Sequence, residues 1–219
     1  MKKLLLVTFA SAALIGLGCS ASTEFDEEAP QKKPAKNTEV KHIISIQKAI
    51  SDIPPTEVIG GLYKNAIKIL VEEYLAAELA DERYQRVYEN VLLKELGKAG
   101  YNCVSKNVLF DTAKTQPRFL LGAVITEARL NDYVYYSSHE LIVIASFSEA
   151  LLDIRWELYD TGEKKIVYFR KELGTTKRAD NKLDAYSKAM RISFRNFLSG
   201  KELLDAVKRH LINYPDQQD

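Results

Sequence analysis

The sequence predicts an α+β domain, on three observations. Residues 150–159 alternate apolar and polar side chains and return through a turn. Two later and earlier stretches repeat their apolar residues at three and four. About 180 residues, at ordinary apolar content, suffice for one core. Hydrophobic residues make up 46% of the 219, and 31 basic residues face 30 acidic ones. The charge is therefore balanced, with no basic face to recruit nucleic acid.

The elements follow in chain order. Lys2 and Lys3 precede an uncharged run from Leu4 to Leu17. That run is short for a membrane span, which takes about 20 residues. It reads as a signal peptide over residues 1–18. Gly16-Leu17-Gly18-Cys19 resembles the lipobox of bacterial lipoproteins. Gly16 stands where Leu is usual, and Leu17 where a small residue is usual. Cleavage after Ala21, releasing a soluble protein, is the rival reading. The resemblance implies that Cys19 carries lipid, with palmitate among the chains, as a membrane anchor. Ser20, in place of the Asp that retains enteric lipoproteins at the inner membrane, implies the outer membrane.

Residues 19–39 hold two prolines and many charges, which predicts a flexible tether. The folded domain is expected over 40–214, with a polar tail over 215–219. Val40–Ile46 reads as a strand, broken by Asp52-Ile53-Pro54-Pro55. Gly60-Gly61 reads as a flexible point. Residues 66–75 fit two patterns: Ile67, Ile69 and Val71 alternate as in a strand, while Ile67, Leu70, Val71 and Tyr74 also fit a helix; the density of β-branched residues favours the strand. Asp81 is an N-cap candidate for a helix bearing Tyr84, Tyr88, Val91, Leu92 and Leu96. Gly97 or Gly100 supplies its stop.

Tyr101–Phe110 and Arg118–Leu130 read as strands, and Asn131–His139 as a polar, tyrosine-rich loop. Leu141–Phe147 is a short strand. Ala150–Tyr159 and Lys164–Lys171 form a hairpin around Asp160-Thr161-Gly162-Glu163. Asn181 opens a helix with the stripe Leu183, Tyr186, Met190, Phe194 and Phe197. Ser199 and Glu202 suit a capping box for a last helix.

No catalytic set emerges, and neither a cofactor nor a metal is expected. His42, His139 and His210 lack metal-ligand spacing and read as solvated surface residues. Asp160-Thr161-Gly162 matches the aspartic-protease tripeptide but occurs once, and a hairpin turn explains it. Ser137, Ser138 and Ser146 sit in no nucleophile elbow. Asp153, Arg155 and Glu157 share one strand face, as on the wet side of a sheet or in a polar groove. With Cys19 lipidated, Cys103 has no intrachain partner and reads as a buried thiol, with an intermolecular disulfide as the alternative. Tyr133, Tyr135 and Tyr136 are either partner contacts or the packing of a loop on its own domain.

Two segments carry a family resemblance. One is Phe119-Leu120-Leu121-Gly122-Ala123-Val124-Ile125-Thr126-Glu127-Ala128. The other runs from Ile154 through Trp156, Tyr159, Gly162 and Tyr168 into the Ala185–Phe197 helix. Across residues 84–198 the chain resembles the envelope lipoproteins near the TolB amino-terminal domain, the curli lipoprotein CsgG and the ABC-transport auxiliary lipoproteins. The resemblance implies a β-α-β-β-β-α core: a mixed, mostly antiparallel sheet with helices on one face. It also implies a non-enzymatic accessory role on the periplasmic side of an envelope assembly. The expected partners are the membrane, other envelope proteins or further copies of the chain. A small-ligand or lipid binder, or an enzyme with scattered residues, is the alternative.

Overall fold

The fold is built around one long strand. A computed structural model describes residues 43–65, 67–105, 117–137 and 142–212. The signal peptide, Cys19, the tether, His42, His139 and the tail lie outside them.

Three strands come first: β1 (Ile43–Ser51), β2 (Val58–Lys64) and β3 (Ile69–Leu75). A 3-10 turn over Ala76–Ala80 leads into α1 (Glu82–Lys98). Asp81 caps α1, its carboxylate accepting from the Arg83 backbone N–H at 2.8 Å. Gly97 lies inside the helix, and Gly100, at φ +85°, turns the chain out of it. Next come β4 (Asn102–Ser105), β5 (Phe119–Tyr136), β6 (Val143–Asp160) and β7 (Lys165–Ala179). Two helices close the chain, α2 (Lys182–Leu198) and α3 (Lys201–Ile212). Asn181 caps α2 by accepting from the Asp184 N–H at 3.0 Å. The Ser199 hydroxyl donates to the Asn196 carbonyl at 2.7 Å, so it closes α2.

The described residues form one mixed, seven-stranded sheet, and the fold is α+β. β5 pairs antiparallel with β6 along its whole length, from Phe119↔Asp160 to Tyr136↔Val143. Its other edge is shared by two strands lying end to end. β1 runs parallel beside Phe119–Ile125, and β2 parallel beside Leu130–Val134. The Pro54-Pro55 break separates them. β4 adds parallel to β1, β3 antiparallel to β2, and β7 antiparallel to β6. The implied β-α-β-β-β-α run is thus elaborated by the β2–β3 hairpin before α1 and by a fourth strand before α2.

Two sequence expectations are corrected here. Asn131–Tyr136 is strand, not loop, and β6 is one strand rather than two. The register of β5 shifts between Ile125 and Glu127. Before the shift, Phe119, Leu121, Ala123 and Ile125 are buried; after it, Ala128 and Leu130 are. One inserted residue changes the phase of alternation, so the segment no longer reads as a single amphipathic strand.

Gly60-Gly61 is also not a flexible point. Both glycines are ladder residues of β2, and a Cβ on Gly60 would lie 1.8 Å from the Leu130 carbonyl oxygen. Its φ of +153° is unfavourable to other residues as well. Gly60→Ala is therefore expected to cost about 2 kcal/mol, measured by urea denaturation, because β2 must move off β5.

The core lies between one sheet face and the helices. Along β6, Ala150, Leu152, Ile154, Trp156 and Leu158 are buried beneath α2. Trp156 meets Phe194, Phe197 and Tyr88 at ring-centroid distances of 4.7, 5.9 and 6.3 Å. Gly174 of β7 lets the α2 backbone approach the sheet, since a Cβ there would stand 1.9 Å from the Ala189 carbonyl oxygen. α1 packs beside α2 and against β1 and β4. Among the described residues, no helix lies on the opposite sheet face.

Candidate functional site

The helix-free face acquires its chemistry where β5 passes its bulge. Tyr133 sits between Tyr63 of β2 and Phe147 of β6 in the sheet register. Its ring stacks on Tyr63 at 5.5 Å and meets Phe147 at 4.9 Å. Tyr135, two residues along the same face, stacks on Phe147 at 6.0 Å. The result is a continuous aromatic row across three strands. The Tyr133 hydroxyl donates to Glu149 at 3.2 Å. Burial, and then the Glu149 charge, push its pKa up to about 12.

Cations border the row. Lys68 lies 5.2 Å above the Tyr133 ring and Arg178 5.8 Å above Phe147, both within range of the ring quadrupole. Beside Phe147 a groove of 580 Å³ opens between β5, β6 and β7. Arg129, Asn131, Glu149, Leu151, Thr176 and Arg178 are among its walls. Phe147 and Leu151, with three basic side chains and one acid around them, suit an extended partner with apolar and acidic groups.

The three tyrosines singled out in the sequence are thus divided. Tyr133 is buried within the row and Tyr135 is half-buried at its end. Tyr136 lies past a further register shift, and its ring faces the Lys64 ammonium at 5.6 Å. Tyr63 and Phe147 were not anticipated as members. The spacing of Tyr133 and Tyr135 is that of one strand face, which was the available signal.

Behind the row, on the helix side, Tyr74 donates to Asp132 at 2.7 Å, and Ser148 also bonds that carboxylate. Lys182 stands 3.4 Å over the Tyr74 ring and pairs with Glu78 at 2.7 Å. Burial, with the Asp132 hydrogen bond, drives the Tyr74 phenol well above its ordinary pKa. This network ties β3, β5, β6 and α2 together.

The remaining sequence candidates resolve as structure. Asp153 pairs with Lys171 and Arg155 with Glu157, each at 2.7 Å, on the open face. Cys103 is half-buried, burial raises its thiol pKa, and its Sγ lies 3.8 Å from the Leu93 carbonyl oxygen. Asp160 is a turn residue: its carboxylate accepts from the Gly162 N–H at 2.8 Å and the Glu163 N–H at 3.3 Å.

His210 is corrected. It is not a solvated surface residue but a partly buried one, bonded through Nδ1 to Glu163 at 2.5 Å. Lys165 and His210 together hold the Glu163 carboxyl below the usual carboxylate range. Asp160, Glu163 and His210 bring ligand-type atoms within 4.8 Å of one another. Arg118, however, already occupies Asp160 at 3.3 Å and bonds the His210 carbonyl at 2.5 Å. The cluster therefore acts as a latch between the β6–β7 turn and α3.

Fold and site define an α+β protein with one helix-covered sheet face and one open, aromatic face. No family model matches the chain, and no curated protein matches it. Among solved structures, it is similar to a DUF330 protein of Xanthomonas campestris at 8% identity and a TM-score of 0.44. That match covers 83% of this chain and 97% of the other. It is similar to PelC of Paraburkholderia phytofirmans, crystallised as a dodecamer, at 11% identity and a TM-score of 0.37, covering 78% and 96%. For the lipoprotein GNA1162 of Neisseria meningitidis the figures are 11% and 0.32, covering 78% and 99%.

Proposed function

We propose that this chain is a lipid-anchored envelope lipoprotein that works as a non-enzymatic adaptor or accessory subunit of an assembly or transport system. Its body faces the periplasm, and its anchor is in the outer membrane. The observation that carries the reading is the aromatic row Tyr63–Tyr133–Phe147–Tyr135 on a helix-free sheet face, bordered by cations. Rigid aromatic surface beside Arg is the composition of protein-contact hot spots. The lipobox-like Gly16–Cys19 and the charged tether support the anchor. No helix among the described residues is long and apolar enough to cross a membrane.

Two experiments test the proposal. Cys19→Ser is expected to remove metabolic palmitate labelling and release the protein from the membrane fraction. Retention of the variant in membranes would overturn the anchor. A photo-crosslinking residue at Tyr135 in intact cells is expected to capture a discrete envelope protein. Capture of nothing but small molecules would instead favour the second reading, a ligand- or lipid-binding role for the 580 Å³ groove.

A further inference from the structure

One end of the sheet projects past the helices and leaves two strand edges unpaired among the described residues. There the strand order is β3-β2-β5-β6. β3 is the terminal strand on one side, bonded only to β2. On the other side β7 pairs with β6 only from Ser148 onward, leaving the outer edge of Val143–Phe147 open. Both edges are apolar and exposed. Ile69, Leu70 and Val71 are 45–50% exposed, Val143 51% and Ile144 67%. Water-facing apolar edges of this length are templates for adding another strand.

We infer that copies of this chain join edge to edge, β3 of one copy adding to the open segment of β6 in the next. Three features select a second copy as the occupant. The first is direction. β3 runs opposite to β2, β2 parallel to β5, and β5 opposite to β6. β3 and β6 therefore run the same way on opposite edges. A neighbour in the same orientation can pair its β3 in parallel with β6, making one continuous sheet.

The second feature is fit. β6 leaves a place in line with β7, as β1 and β2 lie end to end along β5. Set beside Val143–Phe147, an incoming β3 places Ile69–Val71 against Val143–Ala145. Its Glu72 and Glu73 then lie beside Ser146 and Phe147. The third feature is charge. Glu72 and Glu73 are exposed on β3, and at the end of β7 exposed Lys177 and Arg178 outnumber the exposed acid Asp180, with Arg178 over Phe147. Acids on one edge meet bases at the other, and like edges repel through the same groups. The contact is heterologous, so it propagates into a ring or an open array rather than stopping at a dimer. It concerns the folded body alone and does not depend on the lipid anchor or on an envelope partner.

The test uses the full chain, extracted from membranes in mild detergent, with Cys103→Ser to remove the native thiol. Val71→Cys together with Ala145→Cys, which that register sets side by side, is expected to give a disulfide ladder beyond the dimer under mild oxidation. Each single cysteine is expected to give none. A ladder-free double variant would overturn the inference, as would efficient dimers of Val71→Cys alone, which would mean a symmetric β3–β3 contact. Charge reversal is the second arm. Glu72→Lys with Glu73→Lys should weaken association about tenfold in sedimentation. Adding Lys177→Glu and Arg178→Glu should restore it. Absence of rescue, or a monomer for the unmutated protein, would equally overturn the edge-to-edge contact.

Discussion

Trp156→Ala lowers the unfolding free energy by about 4 kcal/mol, the largest loss expected from any single core truncation here. The indole is wholly buried and packs on Phe194, Phe197 and Tyr88, so its removal opens the layer where α1 and α2 meet the sheet. Its Nε1–H donates to the Ser193 hydroxyl at 3.0 Å, which in turn donates to the Glu172 carbonyl at 2.9 Å. Truncation therefore loses a hydrogen bond as well as contact area. Trp156→Phe should recover more than half of the loss, because ring packing dominates. Urea denaturation followed by far-ultraviolet circular dichroism measures both variants. Fluorescence cannot serve, since Trp156 is the chain's single tryptophan. A loss under about 1 kcal/mol for the alanine variant would mean that the layer repacks around the gap.

Glu95→Ala is the second large effect, about 3 kcal/mol at neutral pH. The Glu95 side chain is 1% exposed in α1 and receives Arg195 of α2 at 2.8 Å and Lys98 at 2.9 Å, with Arg191 at 3.9 Å. Its removal leaves the α2 arginines facing the helix interface without their acid. Burial alone would raise the carboxyl's pKa. The hydrogen bonds from Arg195 and Lys98, with their charges, outweigh that and hold it below the ordinary value. A carboxyl depressed in the folded state stabilises it above the unfolded-state pKa, about 4.3. The contribution is lost as pH falls through the lower, folded value. The gap between parent and variant should accordingly be full at pH 7 and shrink below about pH 4. Thermal unfolding across that range checks it. A gap constant down to pH 2 would show that Glu95 acts by packing rather than by charge.

The local elements were legible because their signals are local. Asp81 and Asn181 each cap the helix expected of them, and the α2 stripe of Tyr186, Met190, Phe194 and Phe197 is buried as its spacing implies. The β6–β7 hairpin turns at Asp160–Gly162, where the turn residues stand. The α+β class followed from these elements together. Illegible stretches had their cause elsewhere in the chain. The β5 register shift after Ile125 is set by its pairing with β6, so Asn131–Tyr136 looked like a loop. Val143–Ser146 is strand as expected, but it is exposed on both faces, so nothing in its pattern joined it to Ala150–Tyr159. Gly60 reads as a flexible point because the carbonyl that forbids its Cβ belongs to Leu130, far along the chain.

The candidate site divides in the same way. Tyr133 and Tyr135 carry strand spacing in their own segment. Tyr63 and Phe147 join them only through the β2–β5 and β5–β6 registers. His210 and Glu163 lie on different elements, and nothing near either residue announces the other. By itself, then, the sequence determined what short-range chemistry specifies: caps, turns, the two long helices and a hairpin of alternating faces. Tertiary structure alone decided, among the described residues, which side of the sheet stays free of helices, which aromatic rings stack across it, and which strand edges remain unpaired. Those outcomes depend on strand register, and register is a balance of contacts summed over segments far apart in the chain.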